Sequence, residues 1–381
     1  MKIGIITHWK DNDNYGAALQ SYALQRYLRD IGHDAYVIRY YPRVERHTLS
    51  QRFLNVIKKP HLVIDYIKMK FIPDHRDTWD KLRDFSSFRE RFISYSPVVY
   101  HGLEELRSNP PVADLYITGS DQVWHGSLEI TENRTFFLDF GEEQTRRISY
   151  AASFGRNYFP CDNEELFKEL LHRFYSISMR EESGLRILRE RGLNCTRCLD
   201  STLLLDGLHY KGLMDKRRHA GKFAFFYTVN VKSPDGIYWN NLRDHFRREG
   251  IQSVVTTGSG YIPASEIFVG AKYDYAPVQG WLSNIYYSEI IITASFHGIV
   301  FSILFQKDFV YIPIGGKHGA GNDRVTDLLE SMGLNDRIAN SWENLRDILD
   351  KNINYSNLNN VGFDKLLQQS KCFLINSIEN E

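Results

Sequence analysis

The sequence predicts an α/β protein built from two doubly wound parallel sheets, and three observations predict it. The chain has 381 residues, too long for one ordinary core and suited to two domains of common size. Short apolar runs that read as buried strands alternate with segments whose apolar residues recur at helical spacing. The alternation pauses near Asp206-Gly207 and then starts again. Two such sheets, joined near residue 205, would leave a cleft between domains.

Each element has its reason. Lys2–Thr7 reads as a first buried strand. Asn14-Tyr15-Gly16 ends a polar loop, and Ala17–Ile31 then carries Ala18, Leu19, Tyr22, Ala23, Tyr27 and Leu28 on one helical face. Gly32 stops that helix, and Ala35–Tyr40 resumes as a strand. Residues 45–95 differ. They are rich in basic and aromatic side chains with helical spacing in Phe53–Ile72 and Trp79–Phe92, and read as a helical insertion. Leu115–Thr118, Arg147–Ser153 and Ser176–Met179 are further strands, with helices at Asn163–Phe174 and Glu182–Arg191. The second half repeats the scheme. Its strands are Phe223–Val229, Ser253–Thr256, Ile290–Thr293 and Phe309–Ile312, and its helices include Ile237–Arg248, Trp281–Tyr287, Ile299–Phe305 and Val325–Met332. The expected division is residues 1–205, 206–340 and a tail 341–381 whose helices, about 342–352 and 360–378, pack back on the first domain.

Composition excludes several function classes. The 43% apolar and 25% charged fractions are those of a soluble globular protein. Lys plus Arg equals Asp plus Glu at 47 each, so no basic field points to nucleic acid. No run of about 18 apolar residues suggests a membrane span, and MKIGIITHWKDNDNYG reads as a strand rather than a signal peptide. The expectation is a cytoplasmic protein. Cys195 and Cys198 form a C-x-x-C, but no second pair or histidine pair completes a zinc site.

In parallel sheets ligands bind beyond the carboxyl ends of the strands, so the polar residues at strand-to-helix joints are the candidates. Asn14-Tyr15-Gly16 opens a helix whose free N–H groups favour anions, though an Asn cap with a glycine turn reads equally well. Ser120-Asp121-Gln122-Val123-Trp124 offers a hydroxyl, a carboxylate, an amide and an aromatic face after a strand. Arg180 follows an apolar strand and presents a planar fork suited to carboxylate or phosphate, the alternative being a salt bridge to Glu181, Glu182 or Asp200. In Ile290–Gln306, Ser295 caps a helix, His297 sits in its first turn, and Gly298 keeps the approach open. That suits a general acid or base beside an anion. Gly315–Arg324 lacks a P-loop ending but could hold an anion through Lys317, His318 or Arg324. No G-x-G-x-x-G follows the first strand, which argues against a dinucleotide-binding dehydrogenase.

Five stretches in order, "NYGAALQSYALQRYL", "YITGSDQVW", "ISMREESGLRILRERG", "LDSTLLL" and "ITASFHGIVFSI", resemble the polysaccharide pyruvyl transferase family over roughly residues 3–335. The resemblance implies two Rossmann-like domains in a GT-B-like arrangement. It implies transfer of pyruvate from phosphoenolpyruvate to a sugar of a surface glycan, forming a cyclic ketal with no metal or organic cofactor. By the same resemblance His297 is the catalytic histidine, Arg180 grips phosphoenolpyruvate, and Asp121 lies on the acceptor side. Some members carry an arginine where this chain has Ser295, so Lys317 or Arg324 would have to supply that anion contact, or the donor differs. Trp124, Tyr15 and Trp281 could stack on sugar faces. A lipid-linked acceptor would bring the enzyme to the inner face of the cytoplasmic membrane. The alternatives are a GT-B glycosyltransferase using a nucleotide sugar, and a non-catalytic glycan- or anion-binding protein.

Overall fold

The computed structural model describes residues 1–9, 13–42, 81–159, 162–231, 233–258, 266–315, 322–358 and 361–379. Two sheets form, and every pairing within them is parallel. The first contains β1 (Lys2–Ile6), β2 (Asp34–Tyr40), β3 (Tyr95–Tyr100), β4 (Leu115–Thr118), β5 (Arg146–Ala152), β6 (Ser176–Met179) and β7 (Thr196–Arg197) in the order β3-β2-β1-β4-β5-β6-β7. The second contains β8 (Phe223–Thr228), β9 (Gln252–Thr257), β10 (Lys272–Tyr273), β11 (Ile290–Thr293) and β12 (Asp308–Tyr311) in the order β10-β9-β8-β11-β12.

Both orders reverse direction once, between β1 and β4 in one sheet and between β8 and β11 in the other. Such a switch point opens a crevice, because the chain leaves the two central strands toward opposite faces. The central strands are apolar enough to be covered on both sides. All six residues of β8 and all four of β11 are buried.

The two sheets are not packed as independent bodies. One core runs from Tyr15, Leu19 and Leu24 through Leu203 and Tyr210 to Trp281, Ile299 and Phe301. Tyr15 opens the helix Tyr15–Asp30, which Asn14 caps by accepting from the Gly16 and Ala17 amides. Its ring stacks on Trp281 at 5.1 Å and 10°, and its hydroxyl donates to the Ala276 carbonyl at 2.6 Å. The C-terminal helix Val361–Glu379 lies on the first sheet. The Leu199 amide donates to Ser370 Oγ at 2.8 Å, and Arg146 Nη1 donates to the Ser377 and Ile378 carbonyls.

Some elements differ from the expectation. The stretch Phe53–Ile72 lies outside the described residues. The expected helix Trp79–Phe92 is seen as Phe85–Phe92, capped by Asp84, and it is followed by β3, which pairs with β2. The edge strand β3 and the two-residue edge strands β7 and β10 extend the sheets beyond what the apolar runs marked. Among the described residues no helix is long and apolar enough to cross a membrane, and no cluster of His, Cys, Asp and Glu could hold a metal ion.

Candidate active site

The two switch points face a common cavity of about 230 Å³. Asn14 reaches it from the loop after β1, and Asp121 and Gln122 from the loop after β4. Val229 and Asn230 follow β8, while Ser295 and His297 follow β11. Arg324, in the first turn of the helix Asp323–Ser331, completes the wall. Asp121, one of the lining residues, holds φ at 101°, a backbone that side chains rarely adopt, whereas Asn230 at 60° is in a left-handed conformation that asparagine tolerates. Strain of this kind persists only where the surroundings over-determine it.

His297 is the second residue of the helix Phe296–Leu304, which Ser295 caps, and only 7% of it is exposed. One side of the imidazole lies on Gly16, where a Cβ would come within 2.0 Å of Nδ1. Nε2 faces Asp200, with 3.7 Å to Oδ2. Gly298 has a different task from the one expected. A Cβ there would stand 2.4 Å from Thr293 Oγ1, so the glycine lets the helix start close to β11.

Asp200 was marked in the sequence only as a possible salt-bridge partner. In the structure it is fully buried and gathers the site. Its Oδ1 accepts from the Thr202 amide at 3.0 Å and hydroxyl at 2.6 Å. Its Oδ2 accepts from Ser120 Oγ at 2.6 Å and Arg180 Nη1 at 2.7 Å. Burial alone would raise this carboxyl, but the facing His297, the Arg180 charge and the Ser120 hydroxyl hold it well below the usual carboxylate range.

Arg180 therefore does make the salt bridge to Asp200, and it stands behind the cavity wall rather than in it. Its guanidinium lies 4.8 Å from the Phe296 ring and 3.9 Å from both Asp121 Oδ1 and Glu181 Oε2. Nε and Nη2 of Arg180 are buried without a hydrogen-bond partner, as are Glu181 Oε2 and His297 Nε2. Burial pushes Glu181 above its ordinary value, although Arg180 and Arg324 oppose it. Buried polar atoms left unpaired cost free energy, which sets this cluster behind the cavity wall apart from an ordinary core.

Arg324 is the guanidinium that lines the cavity. Its guanidinium sits 5.8 Å from the centroid of the same ring, Phe296. With its amide oxygen turned inward, Gln122 accepts from Arg324 Nη1 at 2.7 Å and Nη2 at 2.9 Å. Burial and the neighbouring Arg180 lower Arg324 to about 10, so it remains a cation at neutral pH.

Other expected ligand groups fall elsewhere. Trp124 is fully buried, stacks on Phe137 at 5.0 Å, and donates from Nε1 to the Phe136 carbonyl at 2.9 Å. It has no free face for a sugar and belongs to the core of the first sheet. Tyr15 and Trp281 are buried against each other and are likewise unavailable. Ser120 is fully buried and serves Asp200 rather than the cavity. Lys317 and His318 lie outside the described residues.

The sequence model of the family described as polysaccharide pyruvyl transferase matches residues 14–315. The chain belongs to the polysaccharide pyruvyl transferase family. The match contains Asp121, Arg180, Asp200 and His297, whereas Arg324 lies beyond it. Among curated proteins none matches the chain. Solved structures of similar fold include UDP-N-acetylglucosamine 2-epimerases. That from Neisseria meningitidis is 11% identical with a TM-score of 0.52, covering 100% of both chains. That from Methanocaldococcus jannaschii is 10% identical with a TM-score of 0.51, covering 98% of this chain and 99% of its own. A Listeria monocytogenes protein described in the same terms is 12% identical with a TM-score of 0.56, covering 100% and 97%. At such identity the likeness speaks for the fold alone, and it places this pyruvyl transferase family member in the GT-B-like class.

Proposed function

We propose that this family member moves the pyruvate unit of phosphoenolpyruvate onto a sugar of a surface polysaccharide or its lipid-linked precursor, closing a cyclic ketal. The observation that carries the reading is the pairing of two guanidiniums, Arg180 and Arg324, on the Phe296 ring beside His297. The donor bears a carboxylate and a phosphate and needs cations and free backbone N–H groups. Arg324 meets one anion at the cavity surface. It supplies the charge that some members place where this chain has Ser295. Arg180, behind the wall, keeps two buried N–H donors without a hydrogen-bond partner.

The chemistry balances without a cofactor. One acceptor hydroxyl adds to C2 of the enol phosphate while C3 takes a proton. The second hydroxyl then displaces phosphate from C2. Of the two hydroxyl protons, one ends on C3 and the other on the departing phosphate. His297 serves as the general acid and base, and Asp121 orients the acceptor hydroxyls. Asn14, Gln122 and Ser295 shape the pocket, while the Gly16 amide is already taken by Asn14 Oδ1 at 2.8 Å.

The test is turnover. Phosphoenolpyruvate mixed with a glycan acceptor should release phosphate and give a new ketal methyl signal in proton NMR. His297→Ala should lower the rate by roughly 10²–10⁴-fold. A loss below about tenfold would remove His297 from the chemistry. Transfer from a nucleotide sugar in place of phosphoenolpyruvate would move the assignment to glycosyl transfer.

A further inference from the structure

We infer that Asp200 is a positioning residue, whose Oδ2 fixes the orientation and tautomer of His297. The inference rests on the reading of His297 as the acid–base group. Asp200 is fully buried, and it is held from three directions. Thr202 holds Oδ1 from its own turn, while Ser120 after β4 and Arg180 after β6 hold Oδ2. No freedom remains for the carboxylate to turn. The fourth direction from Oδ2 leads to His297 Nε2 at 3.7 Å, an atom with no other partner.

Gly16 lies against the face of the ring near Nδ1, since a Cβ there would stand 2.0 Å from Nδ1, 2.4 Å from Cγ and 2.6 Å from Cε1, so it limits tilting of the imidazole without standing in the plane of the Nδ1 lone pair. A carboxylate facing one ring nitrogen keeps the proton there and leaves the other as the lone pair. The 3.7 Å separation is longer than a hydrogen bond. Contacts of this kind often shorten only when substrate closes the site. The same oxygen also neutralises Arg180, so Asp200 ties the donor side of the site to the acid–base group. The charged groups that face this cluster are Arg180, Asp121 and Glu181 from the first sheet, and Arg324 from the helix after β12.

Two measurements test the inference in the full chain. In protein labelled with 15N-histidine, the His297 ring signals, identified by their loss in His297→Gln, report the tautomer directly. Wild type should show the proton on Nε2, and Asp200→Asn should shift the ring to a mixture of tautomers. In turnover, Asp200→Asn should lower kcat by about 10²-fold or more with KM for phosphoenolpyruvate changed far less, since a positioning group acts on the transition state. If Asp200→Asn does not fold, Ser120→Ala keeps the carboxylate but removes one of the two hydrogen bonds that hold its Oδ2. It should give the same tautomer mixing and a smaller loss of kcat. Unchanged ring signals and an activity that merely follows the folded fraction would overturn the inference. Absence of any turnover in wild type would instead defeat the proposed reaction, while the ring signals would still decide the role of Asp200.

Discussion

The imidazole of His297 lies directly against the α-carbon of Gly16, so the second sheet's histidine is seated on the first sheet's opening helix. A Cβ at Gly16 would fall 2.0 Å from Nδ1 and 2.4 Å from Cγ. The glycine of "NYGA" is thus explained by a ring 281 positions away rather than by a ligand. Gly16→Ala must push the imidazole aside. A displacement of about 1 Å from productive geometry can cost on the order of 10²-fold in rate. The variant should keep its fold and lose about that much kcat/KM, which steady-state kinetics with a thermal melt will show. Wild-type activity in Gly16→Ala would mean that the ring position is irrelevant to the reaction.

Asp121 holds φ at 101°, where glycine is comfortable and aspartate is not. Strain of this order costs about 1–3 kcal/mol. Asp121→Gly should therefore melt at the same temperature as wild type or higher, while acceptor turnover falls. Asp121→Asn keeps the strain and the shape but loses the charge, and separates the two effects. A destabilised Asp121→Gly would show that the carboxylate is there for the fold, through the Gln122 amide it accepts from at 2.8 Å.

Trp124 should behave as a core residue. Trp124→Ala should cost about 3–5 kcal/mol of stability by the usual penalty for emptying a packed aromatic site. It should leave KM for the acceptor unchanged in whatever fraction stays folded. A selective rise in acceptor KM at unchanged melting temperature would restore the sugar-stacking role.

Acid should destabilise the protein through two buried carboxylates. Asp274 accepts from Arg218 Nε at 3.0 Å, Arg218 Nη2 at 2.8 Å and Asn284 Nδ2 at 2.9 Å, and it faces His219 Nε2 at 2.8 Å. Burial opposes ionisation, but these partners keep Asp274 well below the usual range, and Asp200 is held down in the same sense. A folded-state pKa below the unfolded value of about 3.9 gives stability that is complete above about pH 5 and is lost as pH falls. Glu181 is shifted the other way, so its share is present below about pH 4.3 and lost as pH rises. Two against one, the melting temperature should fall on acidification below about pH 5. Asp274→Asn should be less stable at pH 7 and show a shallower acid slope. An equal slope in both proteins would place the acid sensitivity elsewhere.

The sequence was most readable where periodicity and apolar runs coincide. Ile290–Thr293 followed by Ser-Phe-His-Gly marked a buried strand, a cap and a first-turn histidine, and the structure has them in those places. Asn14, Asp121 and Arg324 line the cavity, where polar residues that follow strand ends in parallel sheets are expected to lie. Asp200 was missed as a hub, since its four partners come from other strands or its own turn. The available signal was a lone carboxylate between Leu199 and Leu203, in a stretch otherwise fit for burial. Trp124 and Tyr15 misled because an aromatic beside a polar loop looks the same whether it turns inward or outward. The edge strands β7 and β10 have two residues each, too few for any period to register.

The central claim is that phosphoenolpyruvate is the donor and that Arg324 receives it. The most direct measurement is thermal stability with phosphoenolpyruvate, and separately with UDP-N-acetylglucosamine, in wild type and Arg324→Ala. A ligand at about 100 times its dissociation constant adds about 2.7 kcal/mol. The expected result is a rise with phosphoenolpyruvate alone in wild type, and none in Arg324→Ala. A rise only with the nucleotide sugar, or one with phosphoenolpyruvate that survives Arg324→Ala undiminished, would contradict it.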